Sequence, residues 1–315
     1  MIKEKEIFKD YFNKNNGIKY TIVLGSGFHK TKNSNTVLSS WEMLLKNTFP
    51  NYVSQGNYLL DFEQIILKEV SSQRAIDVEK QKLSQLAKCL RKVQEKLDLD
   101  ILSQYPIEIF NPDIISDIVI LNFDEVAEKI CKEVLKCKIS SIQYVEIDKK
   151  LKSEAKIHQT TRFNEVIFPN KGSIRFWHPH GSIAKSSEMV LSARSYAMHI
   201  ANIERLRRHS KSKIKNNNKL NTWYDQLLHQ PVLILGASIS NSEWDLWSAF
   251  VNRERNFSKT DYKKFRKPIY QMRSFENLII NENGNKTNEQ WFEPLFDEKY
   301  CFNEQWSILS KIISK

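Results

Sequence analysis

Thr21-Ile22-Val23-Leu24-Gly25-Ser26-Gly27 is an apolar run that ends in small residues. A buried parallel strand has this form, because both its faces are covered and no polar alternation is required. Three later segments repeat the pattern: Ile118-Val119-Ile120-Leu121-Asn122-Phe123-Asp124, Phe176-Trp177-His178-Pro179-His180-Gly181-Ser182 and Val232-Leu233-Ile234-Leu235-Gly236-Ala237-Ser238. In an open α/β sheet, ligands bind just beyond the carboxyl ends of such strands. The residues at these ends are two glycine turns, an Asn-x-Asp and a His-Gly. That set suits a sugar-phosphate carrying a base.

The intervening sequence alternates strand-like and helix-like patterns, which indicates an α/β fold with a mainly parallel, Rossmann-like sheet. The first strand is expected at about 18–24, followed by a polar loop at about 29–39. Ser39 or Ser40 can cap a helix bearing Trp41, Met43, Leu44 and Leu45. From Leu59 to Leu102, Ile65, Ile66, Val70, Leu83, Leu86, Leu90, Val93 and Leu97 recur at three- and four-residue steps, the period of a helix. A helical insertion at about 56–113 is thus expected between the first and second core strands of a single domain, 1–315, with Pro106 and Pro112 marking its end. Further strands are expected at Ser116–Leu121, Ile142–Ile147, Gly172–Trp177, Pro231–Leu235 and Lys267–Met272. Helices are expected at Asp124–Lys136, Ser192–Arg208, around Trp244, Trp247 and Phe250, and at Trp306–Ile313. Residues 148–164 are polar and carry no assignment.

Of the 315 residues, 41% are hydrophobic and 27% charged, which fits a globular, soluble chain with a sizeable core. Its apolar stretches are of strand length, short of the roughly 18 residues that cross a bilayer. Met1-Ile2-Lys3-Glu4-Lys5-Glu6 has no apolar signal region, so a cytoplasmic location is expected, with no membrane partner. Cys89, Cys131, Cys137 and Cys301 form no Cys-x-x-Cys pair, so no metal is expected and the thiols read as free or buried. The net charge of +11 permits nucleic acid. The densest basic run, Arg205 to Lys219, reads either as a helix end with a solvated loop or as a surface for an anionic ligand or polynucleotide.

Each strand end admits a plain and a functional reading. Gly25-Ser26-Gly27 and Gly236-Ala237-Ser238 are either tight turns or places where backbone N–H groups approach a pyrophosphate. Asp124 can cap the following helix, which leaves Asn122 unexplained. Strand alternation sends Asn122 and Asp124 to one side and Phe123 to the other. His178 and His180 are either buried, hydrogen-bonded histidines, a weak metal pair, or acid–base groups. Gly181 permits close backbone approach, which favours His180 as the residue facing a ligand.

In this order, strand-Gly-Ser-Gly, strand-Asn-x-Asp, His-Gly-Ser and strand-Gly-Ala-Ser resemble sirtuin-like NAD-binding domains. The likeness covers roughly 18–275, with Tyr196 and Trp41 adding to it, and is nearest to bacterial sirtuin-like proteins of anti-phage defence, which consume NAD. The resemblance implies that Gly25, Ser26 and Gly27 hold the NAD phosphates. It also implies that Asn122 positions a water at the nicotinamide ribose, that Asp124 orients the site, that His180 is the catalytic histidine, and that Gly236 and Ser238 meet the adenosine side. The chain departs from classical sirtuins in lacking the paired cysteines of a zinc ribbon, in carrying Leu121 where they have Gln, and in continuing the first glycine loop with Phe28-His29-Lys30. The missing ribbon argues against lysine deacylation.

What the resemblance implies is an NAD glycohydrolase with NAD as substrate, the effector of an abortive-infection system. It would be controlled by oligomerisation or by a neighbouring protein such as a HerA-type ATPase or a nucleotide-processing enzyme. Two alternatives stand beside it: a non-catalytic NAD- or ADP-ribose-binding subunit, and a nucleic-acid-binding protein.

Overall fold

The structure, a computed structural model, describes residues 19–30, 37–70, 73–143, 162–214, 222–239, 243–258, 269–272, 292–296 and 300–313. Strand β1 (Tyr20–Leu24) is buried at all five positions, as its unbroken apolar run requires. Around it lie β2 (Ile115–Ile120), β3 (Lys138–Gln143), β4 (Arg162–Ile167), β5 (Ser173–Trp177), β6 (Val232–Leu235), β7 (Ile269–Gln271) and β8 (Glu293–Pro294). The sheet order is β3-β4-β5-β2-β1-β6-β7-β8. From β5 to β8 all neighbours are parallel, with Ile22 opposite Ile118 on one side and Leu233 on the other. The fold is therefore the mixed α/β, mostly parallel Rossmann type.

Two strand assignments need correction. The strand expected at Ile142–Ile147 begins earlier, at Lys138, and residues 144–161 lie outside the described residues. The unassigned stretch ends in β4, which pairs antiparallel with both β3 and β5, Phe163 facing Trp177 and Val166 facing Ile174. Its half-exposed Asn164 and Glu165 lower the apolar signal, while Phe163 and Val166 still reach the core.

Strand alternation divides the core between the two faces of the sheet. Ile22, Leu24, Ile118, Ile120 and Phe176 face α1 (Trp41–Thr48), α2 (Tyr58–Leu67), α3 (Ala75–Glu95), α4 (Val126–Glu133) and α8 (Phe302–Ile313). Val23, Val119, Trp177 and Ile234 face α5 (Ala193–Ile214), α6 (Trp223–His229) and α7 (Trp244–Phe257). Helices α1 to α3 occupy the stretch between β1 and β2, and Ser40 caps α1 by accepting from the Met43 N–H at 3.3 Å. Val78, Leu83, Leu86 and Leu90 form the buried stripe of α3. Helix α6 was not anticipated, although Thr222 and Asp225 form the reciprocal capping box that a Thr-x-x-acid pattern announces. Helix α5 continues past Arg208 to Ile214, and the side chains of the basic run lie outside the described residues. Among the described residues no helix is long and apolar enough to cross a membrane.

One buried charge ties β2 to β5. Asp117 accepts from Trp177 Nε1 at 2.8 Å and from Arg175 Nη2 at 2.9 Å, and Arg175 Nε lies 2.8 Å from its other oxygen. A carboxylate can sit inside a sheet only when its lone pairs are met in this way. This clamp fixes the register of the two strands whose ends carry Asn122 and His180.

Candidate functional site at the carboxyl ends of the parallel strands

The chain lays β2 on one side of β1 and later returns β6 to the other. The topological switch point, where ligands of open α/β sheets bind, is thus between β1 and β6. Both glycine turns lie there and pack on each other. Gly236 has φ +64°, a conformation glycine adopts freely. A Cβ on Gly25 would meet the Gly236 carbonyl at 2.6 Å, and one on Gly236 would meet the Phe28 nitrogen at 2.6 Å. The N–H groups of Gly25, Gly27 and Phe28 donate to Leu235, Gly236 and Gly25 carbonyls at 3.0, 2.8 and 3.0 Å. The glycines thus bring turn against turn, and half-buried Ser26 and exposed Ser238 are the polar side chains left at the rim.

Beyond β2, Asn122 and Asp124 turn to one side and Phe123 to the other, where its ring meets Trp41 at 4.8 Å. Both polar side chains reach His29, which is only 3% exposed although the sequence placed it in a polar loop. His29 Nε2 lies 3.2 Å from Asp124 Oδ2 and 3.3 Å from Asn122 Nδ2, and Nδ1 lies 3.1 Å from the Tyr105 hydroxyl. A single Nε2 cannot donate to Asp124 and accept from Asn122 at once, so the tautomer decides which partner it holds. Asp124 also accepts from the Val126 N–H at 3.1 Å, a capping contact at the start of α4. Burial raises the Asp124 pKa, but the charge and hydrogen bond of His29, the Val126 N–H and the charge of His178 outweigh it, and the net direction is down.

The turn after β5 holds two engaged histidines. His178 Nε2 lies 2.7 Å from Glu128 on α4, and its Nδ1 lies 3.4 Å from the Asn122 carbonyl. His180 Nε2 lies 2.7 Å from Asp245 Oδ2 on α7, and its Nδ1 lies 3.4 Å from the Leu121 carbonyl. Burial disfavours the charged form of His180, yet Asp245, Glu243 and the Leu121 carbonyl together raise its pKa above the usual value. Gly181, at φ +80°, does permit a close approach, but the approaching backbone is that of Glu188 and Met189 rather than a ligand. That contact folds the turn back so that the Val190 N–H meets the His180 carbonyl at 2.8 Å.

Asp245 gathers more than His180. Its Oδ1 accepts from the Tyr196 hydroxyl at 2.7 Å, and His199 Nε2 lies 3.4 Å from Oδ2. The ligand atoms of His180, His199 and Asp245 fall within 4.8 Å of one another, compact enough to suggest an ion. Hydrogen bonds from His180 and Tyr196 reach both Asp245 oxygens, whereas neither ring nitrogen of His199 has a hydrogen-bond partner among the described residues. Four site residues escaped the sequence reading: His29, Tyr105, Asp245 and His199. Asp245 lies in the first turn of a helix whose apolar spacing signals a core face, and that spacing carries no signal for a buried carboxylate.

A family model described as "SIR2-like domain" matches residues 117–283, more than half of the chain. The match takes in Asn122, Asp124, His178, His180, Gly236 and Asp245 and begins after the first glycine turn. No curated protein matches the chain. With strand ends and match in agreement, the chain belongs to the SIR2-like domain family, whose chemistry is NAD-related.

Proposed function

We propose that the protein is an NAD glycohydrolase that converts NAD and water to nicotinamide and ADP-ribose. One observation carries the reading. The end of β5 is joined to the end of β2 through His180 Nδ1 and the Leu121 carbonyl, 3.4 Å apart, one residue along the chain from Asn122, which supports a shared role for the two. Nicotinamide leaves readily because its ring nitrogen is cationic, so the site must chiefly stabilise an oxocarbenium-like ribose and present a water to it. Asn122 can orient that water by hydrogen bonding, a contribution of position and not of proton transfer. His180 Nδ1, the nitrogen not held by Asp245, can take the proton from the water or from a ribose hydroxyl. Asp124 and His29 hold the Asn122 side of the site. In this reading Gly25, Ser26 and Gly27 serve the phosphates, and Gly236 and Ser238 serve the adenosine side.

The family resemblance extends the proposal to an anti-phage effector switched on by self-assembly or by a neighbouring protein. A second reading, a non-catalytic NAD- or ADP-ribose-binding subunit, draws on a different observation: His180 is 7% exposed and both ring nitrogens face protein atoms. An assay of nicotinamide release, run with and without the neighbouring gene product, separates the two. Turnover that disappears in Asn122→Ala and His180→Ala supports the hydrolase. NAD binding without release under every condition supports the binding subunit.

A further inference from the structure

Asp245 is the most deeply engaged carboxylate of the site. It is fully buried in the first turn of α7, where the helix dipole favours a negative charge. Its two oxygens serve different elements: Oδ2 meets His180 Nε2 at 2.7 Å from the turn after β5, and Oδ1 accepts from the Tyr196 hydroxyl at 2.7 Å from α5.

We propose that Asp245 is a positioning residue for His180, clamped by Tyr196, and that it fixes the tautomer in which Nε2 carries the hydrogen and Nδ1 faces the Leu121–Asn122 end of β2. The inference rests on the NAD-hydrolase reading. An imidazole that donates Nε2–H to a carboxylate keeps its basic lone pair on the other nitrogen, here the Nδ1 that lies 3.4 Å from the Leu121 carbonyl, and its ring cannot rotate without breaking a 2.7 Å contact. When Nδ1 takes the proton, the imidazolium gains a charge beside Asp245 and can donate to the Leu121 carbonyl, so the protonated state is stabilised from both sides. Tyr196 keeps the carboxylate from swinging away. The charged and titratable groups around the ring are Asp245 and Glu243 at the start of α7, and Tyr196 and His199 on α5. Of these, Asp245 alone bonds the ring directly. Burial and the neighbouring Asp245 raise the Tyr196 pKa, so the phenol stays protonated and keeps donating.

Asp245→Asn tests this, because it keeps size and one acceptor while removing the charge. An opposite charge at this range shifts a pKa by about one to three units, so the acid limb of the rate profile should move down by about one unit or more. Turnover should fall about 10²-fold, the usual consequence of a misaligned reacting group, with KM little changed. Tyr196→Phe should give a smaller fall in kcat, again at constant KM. Titration of the His180 Cε1 resonance by NMR supplies a readout without turnover, and its midpoint should drop in Asp245→Asn. An unchanged midpoint and an unchanged acid limb in a folded Asp245→Asn protein overturn the proposal. If the wild-type protein releases no nicotinamide under any condition, the hydrolase reading fails, and the NMR midpoint still decides whether Asp245 governs His180.

Discussion

Replacing Gly236 with Ala tests the idea that the site is held open by one turn packed against another. Two costs add at this position. The backbone sits at φ +64°, where a side chain costs about 1–2 kcal/mol. The new Cβ would lie 2.6 Å from the Phe28 nitrogen and 2.9 Å from the Gly27 carbonyl carbon, both backbone atoms that cannot rotate aside. Overpacking of this kind costs about 1–3 kcal/mol more. Gly56 is the internal control: its φ is +81°, and a Cβ there meets nothing within 4 Å. Gly56→Ala should therefore show the conformational cost alone. Urea unfolding of both variants measures the difference, and a melt should separate them by about 1.5 °C per kcal/mol for a chain of this length. If Gly236→Ala is no more destabilising than Gly56→Ala, the turn-on-turn packing does not carry the load assigned to it.

Other expected outcomes follow from the same contacts. Asp117→Ala should destabilise by about 3 kcal/mol in chemical denaturation, the low end for breaking a buried pair, because Arg175 keeps 26% of its side chain in solvent. His29→Ala leaves Asp124 and Asn122 without their shared partner and should lower nicotinamide release more than His29→Gln, whose amide can replace one bond. An equal loss in both variants contradicts that role. His199 is buried, and burial pulls its pKa below the usual 6.5 despite the nearby Asp245 charge. The unfolded chain then binds a proton that the folded chain refuses, so this residue removes stability as pH falls below 6.5, by up to about 1.4 kcal/mol per unit. Denaturation midpoints followed from pH 7 to pH 5 should fall less in His199→Phe than in the wild type, and parallel curves would falsify the assignment.

The sheet was legible because buried parallel strands leave continuous apolar runs that few other structures produce. β1, β2, β5 and β6 all stand where their runs lie, since Ile22, Val119, Phe176 and Leu233 have no reason to face water. β4 was illegible because an antiparallel strand toward the edge needs only Phe163 and Val166 inside. The functional strand ends were visible as polar residues following apolar runs. Their partners were not. His29 follows a glycine turn in a polar stretch, and only the packing of Phe28 and Tyr105 around it shows that it is buried. Asp245 is 65 residues from His180, and a local pattern contains no information about a hydrogen bond between separate elements. The glycines were expected as places where a phosphate or another ligand meets the backbone, and a local pattern does not say what approaches. At Gly181 it is the Glu188 backbone, and at Gly25 and Gly236 it is the opposite turn.

In the proposed function, Asn122 and His180 carry the hydrolysis of NAD. Nicotinamide release by the purified protein, measured with and without its neighbouring gene product and alongside Asn122→Ala and His180→Ala, addresses it most directly. Release by the wild type is expected, with a loss of about 10²-fold or more in each folded variant. Release that continues unchanged in both variants contradicts it.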